Sequence, residues 1–241
     1  MAATGNLREK LKLSWLHFPA EILYNIYWLR ILRPKWFSQT GEDQLMSKYL
    51  PEGKGSYVDI GAGLPIRGSN TYFLYKRGWR GIVVDPISIN IKLSKLFRPF
   101  DSRLQICVGI KYGEIDFFEF IPYGYSTIDA SVAEKLAESK IARLRSCNRM
   151  SVSPASDFMP QMQPSDPTLL SIDIEGADYD ALCSINWERT KPRVICVEEW
   201  SGASTFSDIG KLLVGHGYEL KERSDLSSIY VHETWKGKVR N

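Results

Sequence analysis

Residues 56–86 read SYVDIGAGLPIRGSNTYFLYKRGWRGIVVDP, and the rest of the chain is organised around them. Tyr57, Val58 and Ile60 form a short apolar run that ends among Asp59, Gly61, Ala62 and Gly63. A run this short, cut off by glycines, suits a strand buried on both faces of a parallel sheet. Ser69 and Asn70 stand where side-chain oxygens accept from the free N–H groups of a first helical turn, which predicts a helix over residues 71–76. Gly78 stops that helix. Residues 81–84 are a second apolar run, tipped by Asp85-Pro86. Strand, glycine turn, helix and strand within about 30 residues make a nucleotide-binding half.

The turn selects the nucleotide. Its glycines let a ligand approach backbone where a Cβ would collide. A dinucleotide fingerprint needs a third glycine to pack helix on strand beside the pyrophosphate, and here that position is Ile66, preceded by Pro65. Asp59 also sets a carboxylate at the turn, which disfavours phosphate. It suits a cationic ligand end, such as the amino group and sulfonium of S-adenosylmethionine (SAM). Asp85, at the tip of the second strand, can accept from both ribose hydroxyls. The unit therefore prefers SAM over NAD.

Composition fits one soluble enzyme domain. The 241 residues are 44% hydrophobic and 24% charged, near globular averages. A net charge of +3 is too small to argue for nucleic acid. The charge is uneven, because residues 1–37 carry six basic residues against two acidic ones. Cys107, Cys147, Cys183 and Cys196 are far apart and form no Cys-x-x-Cys, which suggests free thiols in a reducing, cytoplasmic compartment. His17, His216 and His232 lack zinc-ligand spacing.

Residues 6–37 place Leu7, Leu11, Trp15, Phe18, Ile22, Ile26 and Leu29 at helical spacing, interrupted near Pro19. The segment has no signal-peptide core or cleavage site, and Glu21, Asn25 and Arg30 interrupt any membrane span. Two readings stand: a helix pair packed on the catalytic domain or on a second subunit, and a basic, aromatic helix resting peripherally on an anionic membrane surface. These residues are expected to form a helical extension, 1–37, ahead of a catalytic domain, 38–241. Residues 38–50 then suggest a helix capped by Ser38 or Thr40, with Glu42 and Asp43 favourable in its first turn and Gln39 directed at the cofactor.

Downstream, a helix is expected over 88–97 and a third strand over 104–110, forming a hairpin with a strand that contains Ile115, Phe117, Phe118 and Phe120. Tyr123 to Asp129 is a loop rich in hydroxyl and aromatic groups, suited to a substrate mouth. Residues 130–145 read as a surface helix, and 157–167 as loop. The second chemical centre is LLSIDIEGA, residues 169–177, a buried strand delivering Asp173 and Glu175 at its end. Ligands of open parallel sheets bind at carboxyl ends of strands, so Asp173 should share an edge with Asp59 and Asp85. Asp178 and Asp180 open a helix, where acids are favourable without chemistry. Residues 194–197 form another strand, tipped by Glu198 and Glu199. A helix near 205–215 and strands near 218–222 and 228–232 complete the order.

The motifs SQTGEDQL, VDIGAG, GWRGIVVDP, YSTID, LLSIDIEGADYDAL and PRVICVEE, in this order, resemble the FkbM family of SAM-dependent methyltransferases. The resemblance runs from about residue 38 to 232. It implies a class I methyltransferase fold, an α/β Rossmann-like architecture with a seven-stranded, mostly parallel sheet and an antiparallel last strand. It also implies SAM as cofactor and O-methylation of sugar, glycan or natural-product hydroxyls. The candidate cofactor set is Gln39, Asp59, Gly61, Ala62, Gly63, Ser69, Asn70, Asp85, Pro86 and Asp173. Asp173, Glu175, Glu198 and Glu199 are candidate bases for a hydroxyl acceptor. Asp173 with Glu198 and Glu199 could alternatively hold Mg²⁺, a hard cation that prefers oxygen ligands. The competing functional classes are an NAD-dependent oxidoreductase on a similar sheet and a non-catalytic module that binds SAM or a partner.

Overall fold

The computed structural model describes residues 16–139, 141–159, 167–199 and 207–235. It divides into two compact units. One comprises Lys35–Tyr112 with Ser153–Asn241; the other joins the chain up to Pro34 to Gly113–Val152. The chain is thus divided differently from the expected 1–37 and 38–241, because the amino-terminal segment groups with a stretch from the middle of the sequence.

The larger unit holds a seven-stranded sheet. Its strands are β1 (Ser56–Ile60), β2 (Arg80–Val84), β3 (Ser102–Leu104), β7 (Leu169–Ile172), β8 (Val194–Glu198), β9 (Tyr218–Arg223) and β10 (Ser227–His232). Their spatial order is β3-β2-β1-β7-β8-β10-β9. Strands β3, β2, β1, β7 and β8 run parallel, and β10 is antiparallel to both β8 and β9. The expected sheet is therefore present, with the antiparallel last strand inserted beside β8.

The helices of this unit are α2 (Glu42–Met46), α3 (Tyr72–Lys76), α4 (Ser88–Phe97), α6 (Asp178–Cys183) and α7 (Asp208–Gly215). Strand β1 is buried along its whole length, as its apolar run requires. Val58, Ile60, Ile82, Val84, Leu170, Ile172, Ile195 and Val197 form one core cluster with Ala181 and Leu182 of α6 and Leu213 of α7. Alternate residues point to the other face. That face carries Tyr57 and Asp59, and there the chain buries a full cation. Arg98, which ends α4, is wholly buried. Its Nε donates to Asp101 (2.7 Å), and its Nη2 donates to the Tyr57 hydroxyl and to Thr71 (both 2.8 Å). Tyr57 donates to Asp101 in turn (2.6 Å), and Asp101 accepts from the Gly81 amide (2.9 Å). One guanidinium thus ties β1, the start of α3 and the turn before β3 together.

The smaller unit pairs β5 (Gly113–Ile121) with β6 (Arg143–Ser153), antiparallel, and adds α1 (His17–Tyr27), a π-helical turn (Trp28–Leu32) and α5 (Ala130–Ser139). Three expectations are corrected here. The strand proposed over 104–110 is split into β3 and a short β4 (Cys107–Val108). The phenylalanine-rich strand pairs with β6. The helix proposed over 130–145 ends at Ser139, and β6 follows it. Sequence reasoning missed β6 because its side chains are exposed or half-buried throughout, which leaves no apolar alternation to read. The expected loop over 157–167 lies mostly outside the described residues. Where the chain leaves the larger unit and re-enters it, the Gly109 amide donates to the Ser153 carbonyl (3.3 Å) and the Tyr112 hydroxyl to Asp157 (2.6 Å).

Replacing Arg98 strands Asp101 and Asp59 in the interior without their cation. Arg98→Met is expected to lower unfolding stability by about 3–5 kcal/mol, read as a reduced urea midpoint at an unchanged m-value.

Candidate functional site

Register builds the site. Ile60 of β1 pairs with Val84 of β2 and with Ile172 of β7, and Ile172 pairs with Val197 of β8. One residue further along each strand stand Gly61, Asp85, Asp173 and Glu198. Three acids and one glycine therefore line up across the carboxyl edge, where the chain order reverses between β1 and β7. That is the switch point at which open α/β sheets bind ligands.

The glycine is required by its neighbour. A Cβ on Gly61 would lie 1.8 Å from the Asp173 carbonyl oxygen, and its φ is +75°. Only a residue with no side chain lets the β1 turn meet the β7 tip. Gly61 and Ala62 both donate backbone N–H to the Val84 carbonyl (2.8 and 3.2 Å), closing the turn on β2. Gly63 has φ +59°, and the atom nearest to an added Cβ would be the Gly61 oxygen at 4.0 Å. The turn thus presents bare backbone to open space, beside three carboxylates, which fits a cationic cofactor such as SAM.

Each acid has a distinct environment. Asp173 sits among Glu198, Asp178, Asp59 and Glu42; burial, followed by these like charges, pushes its carboxyl well above the usual range. Glu175 is raised to about 7 by burial and by Asp173 and Asp178, and Glu198 to about 7 by burial and by Glu175 and Asp178. One carboxylate oxygen from each of Asp173, Glu175 and Glu198 lies within 4.8 Å of the others. Three anions this close cannot all stay ionised without a proton or a cation among them. Glu175 is exposed at the rim, so solvent screens part of its interaction. Its backbone is left-handed, φ +54°, an uncommon conformation for a non-glycine residue. Asp178 holds that turn by accepting from the Ile174 and Gly176 amides (3.2 and 3.1 Å).

Asp85 accepts from the Gly63 amide (2.8 Å), the Ile87 amide (2.7 Å) and Asn90 (3.1 Å). Burial raises it to about 6 despite those donors. It stands beside the turn, as expected of a ribose acceptor. Pro86 follows, and its carbonyl accepts from Gln105 (3.3 Å).

Other candidates stand elsewhere. Asp59 lies two residues behind the edge row, buried, in the grasp of Thr71 and 3.7 Å from Arg98. Burial raises its pKa, and Arg98 and Thr71 pull it back. Ser69 caps α3 by accepting from Thr71 and Tyr72 (3.3 and 3.1 Å), whereas Asn70 donates to Ser171 of β7 (3.3 Å). Gln39 is exposed and leans on Gly68. Glu199, expected among the catalytic acids, is not in the group of three. Successive strand residues point to opposite sides, and its carboxylate accepts from Tyr230 (3.0 Å) and from Ser207, the cap of α7. Glu175 takes the place expected of Glu199 beside Asp173 and Glu198. His232 and His216 are remote: the His232 amide bonds to Arg193, just before β8 and so at the opposite edge from Glu198, and His216 stacks on Trp187.

Glu42 is the acid that sequence reasoning assigned only to a helix terminus. It is 2% exposed and accepts from the Thr40 amide (3.0 Å), the Thr40 hydroxyl and Ser224 (2.8 Å). Burial would raise its pKa, but these donors bring it below the usual value, so it stays ionised and adds to the field on Asp173. The available signal was Thr40 two residues ahead of a buried acid in SQTGEDQL.

The acid row also sets a stability slope. Glu175 and Glu198 are raised above their unfolded values, so between about pH 4.5 and 7 the folded state holds protons that the unfolded chain has released. Stability contributed by these groups is present at the acidic end and falls as pH rises through that window. Glu198→Gln, neutral throughout, is expected to flatten the fall in melting temperature from pH 5 to 8, as followed by calorimetry.

A family match agrees with this geometry. The family model "Methyltransferase FkbM domain" matches residues 59–220, from the tip of β1 into β9. A TehB-like SAM-dependent methyltransferase from Corynebacterium glutamicum aligns over 89% of this chain and 100% of its own, at 16% identity and a TM-score of 0.45. Precorrin-6y C5,15-methyltransferase from Geobacter metallireducens aligns over 80% of this chain and 87% of its own, at 13% identity and a TM-score of 0.41. No curated protein matches the chain. The matched span takes in Gly61, Asp85, Asp173 and Glu198 together, and it displaces the oxidoreductase and non-catalytic readings: the chain belongs to the FkbM family of SAM-dependent methyltransferases.

Proposed function

We propose that this methyltransferase acts on oxygen, transferring a methyl group to a hydroxyl of a small-molecule or glycan acceptor. The observation that carries the reading is the trio Asp173, Glu175 and Glu198, with proton affinity near neutrality at the cofactor edge. Bound SAM supplies an already electrophilic methyl on its sulfonium. The bare turn at Gly61, Ala62 and Gly63, with Asp85 beside it, would hold the nucleoside. Asp173, the innermost acid, would face the amino group, whose charge stabilises its ionised form.

A neutral hydroxyl is a weak nucleophile and gains from a base as the new C–O bond forms. Glu175 and Glu198 are suited to accept that proton. Each is raised to about 7. An ordinary surface carboxylate, ionised far below neutrality, would be a poorer base. Glycan acceptors are favoured by the family resemblance of the SQTGEDQL segment. The hydroxyl-rich stretch from Tyr123 to Asp129 is tied back on β5, where the Phe118 and Thr127 amides and carbonyls pair and Ser126 accepts from the Phe120 amide (3.0 Å).

Methyl transfer from labelled SAM to a panel of sugars and lipid-linked glycans tests the acceptor class. Glu198→Gln and Glu175→Gln are each expected to lower kcat by about 10²–10⁴ while SAM affinity by calorimetry stays near wild type. The wild-type rate should rise with pH through an apparent pKa of about 7. Methyl transfer only to nitrogen or carbon acceptors would overturn the reading. The spacing of the three oxygens favours one alternative, a bound Mg²⁺ ion. Under the base mechanism, exhaustive chelation leaves the rate unchanged; a loss restored by Mg²⁺ would move these acids to ligand roles.

A further inference from the structure

Helix α1 is inside out. Its buried residues are His17, Glu21 and Asn25, spaced four apart on one stripe, and all three are polar. His17 Nδ1 lies 3.1 Å from the Tyr123 hydroxyl, with the two rings stacked at 5.8 Å. Arg145 donates to the same hydroxyl (2.8 Å) and pairs with Glu119 (2.7 Å). Glu21 lies 3.7 Å from His17 and accepts at its carbonyl from Asn25 (2.7 Å). The helix is thus fastened by its polar side, through His17, to Tyr123 in the turn after β5, and Arg145 of β6 and Glu119 of β5 hold that tyrosine in place.

The apolar side faces out. Leu23 is 69% exposed, Tyr27 47%, Ile31 66% and Leu32 51%. A helix of a water-soluble surface shows the reverse arrangement. Contiguous exposed apolar area of this kind marks an interaction surface.

Charge selects the occupant. Among residues 16–34 the exposed charged side chains are Arg30 and Arg33, and the one acid, Glu21, is buried. The preceding sequence adds Arg8, Lys10 and Lys12 against Glu9. Two copies meeting on this face would set like charges together, whereas anionic headgroups complement them. Tyr24 and Tyr27 lie side by side, 6.4 Å between ring centroids, and such amphipathic rings favour the headgroup level. With 11 residues, α1 spans roughly 16 Å, about half the hydrocarbon thickness. No helix among the described residues is long and apolar enough to cross a membrane. We propose that α1 and the turn after it lie in the plane of an anionic bilayer surface, with Leu23 and Ile31 in the lipid and Tyr24 and Tyr27 at the headgroups. This is independent of which atom receives the methyl group.

Flotation of the full chain with phosphatidylcholine vesicles, with and without phosphatidylserine, tests it. Phosphatidylserine vesicles should carry the protein upward, and high salt should weaken the association. Leu23→Ser/Ile31→Ser should lower the bound fraction about tenfold or more, from the apolar area removed, with SAM affinity unchanged. Arg30→Gln, which leaves the apolar face intact, should reduce the preference for phosphatidylserine. Equal flotation of wild type and double variant, or none for either, would overturn the proposal. So would a dimer in buffer that the double variant dissociates, which would assign the face to a second copy.

Discussion

Two backbone segments meet at the centre of the sheet because Gly61 has no side chain. Any Cβ there would overlap the Asp173 carbonyl. That approach brings the first strand's turn against the tip of β7, and register then carries the same row to Asp85 on one side and Glu198 on the other. The negative edge is therefore a consequence of strand alignment. Four parallel strands end in register, and the row at or just past their ends is the one free to do chemistry.

Crowding like charges at an edge is costly, and the fold distributes the cost. Asp59 is drawn back to Arg98 and Thr71, Asp85 is satisfied by two amides and Asn90, and Glu42 is held by Thr40 and Ser224. Among the described residues, Asp173, Glu175 and Glu198 are left to share protons. The left-handed backbone at Glu175 belongs to the same arrangement, because it keeps this carboxylate at the rim next to its neighbours.

Much of this was legible in the sequence, for identifiable reasons. Apolar runs of four or five residues broken by glycine or acid reveal parallel strands, and residues at their ends fall on one edge. The exposed strand β6 carries no such pattern. Choosing between Glu198 and Glu199 required knowing which face each meets, and only pairing with β10 and the position of Ser207 decide that. Asp59 illustrates another limit: its partner Arg98 is far away in sequence, and nothing local foretells a buried guanidinium beneath the turn. In α1 the spacing of apolar residues was visible, but which stripe would be buried was not, since the Tyr123 hydroxyl, distant in sequence, claims the polar one.

The excursion from Tyr112 to Ser153 has its own significance. Its departure and return are pinned beside each other by Gly109 with Ser153 and by Tyr112 with Asp157. A loop closed at its base pays little extra entropy for added length. Changes of length between those two ties are therefore expected to cost the seven-stranded sheet and its acid edge little.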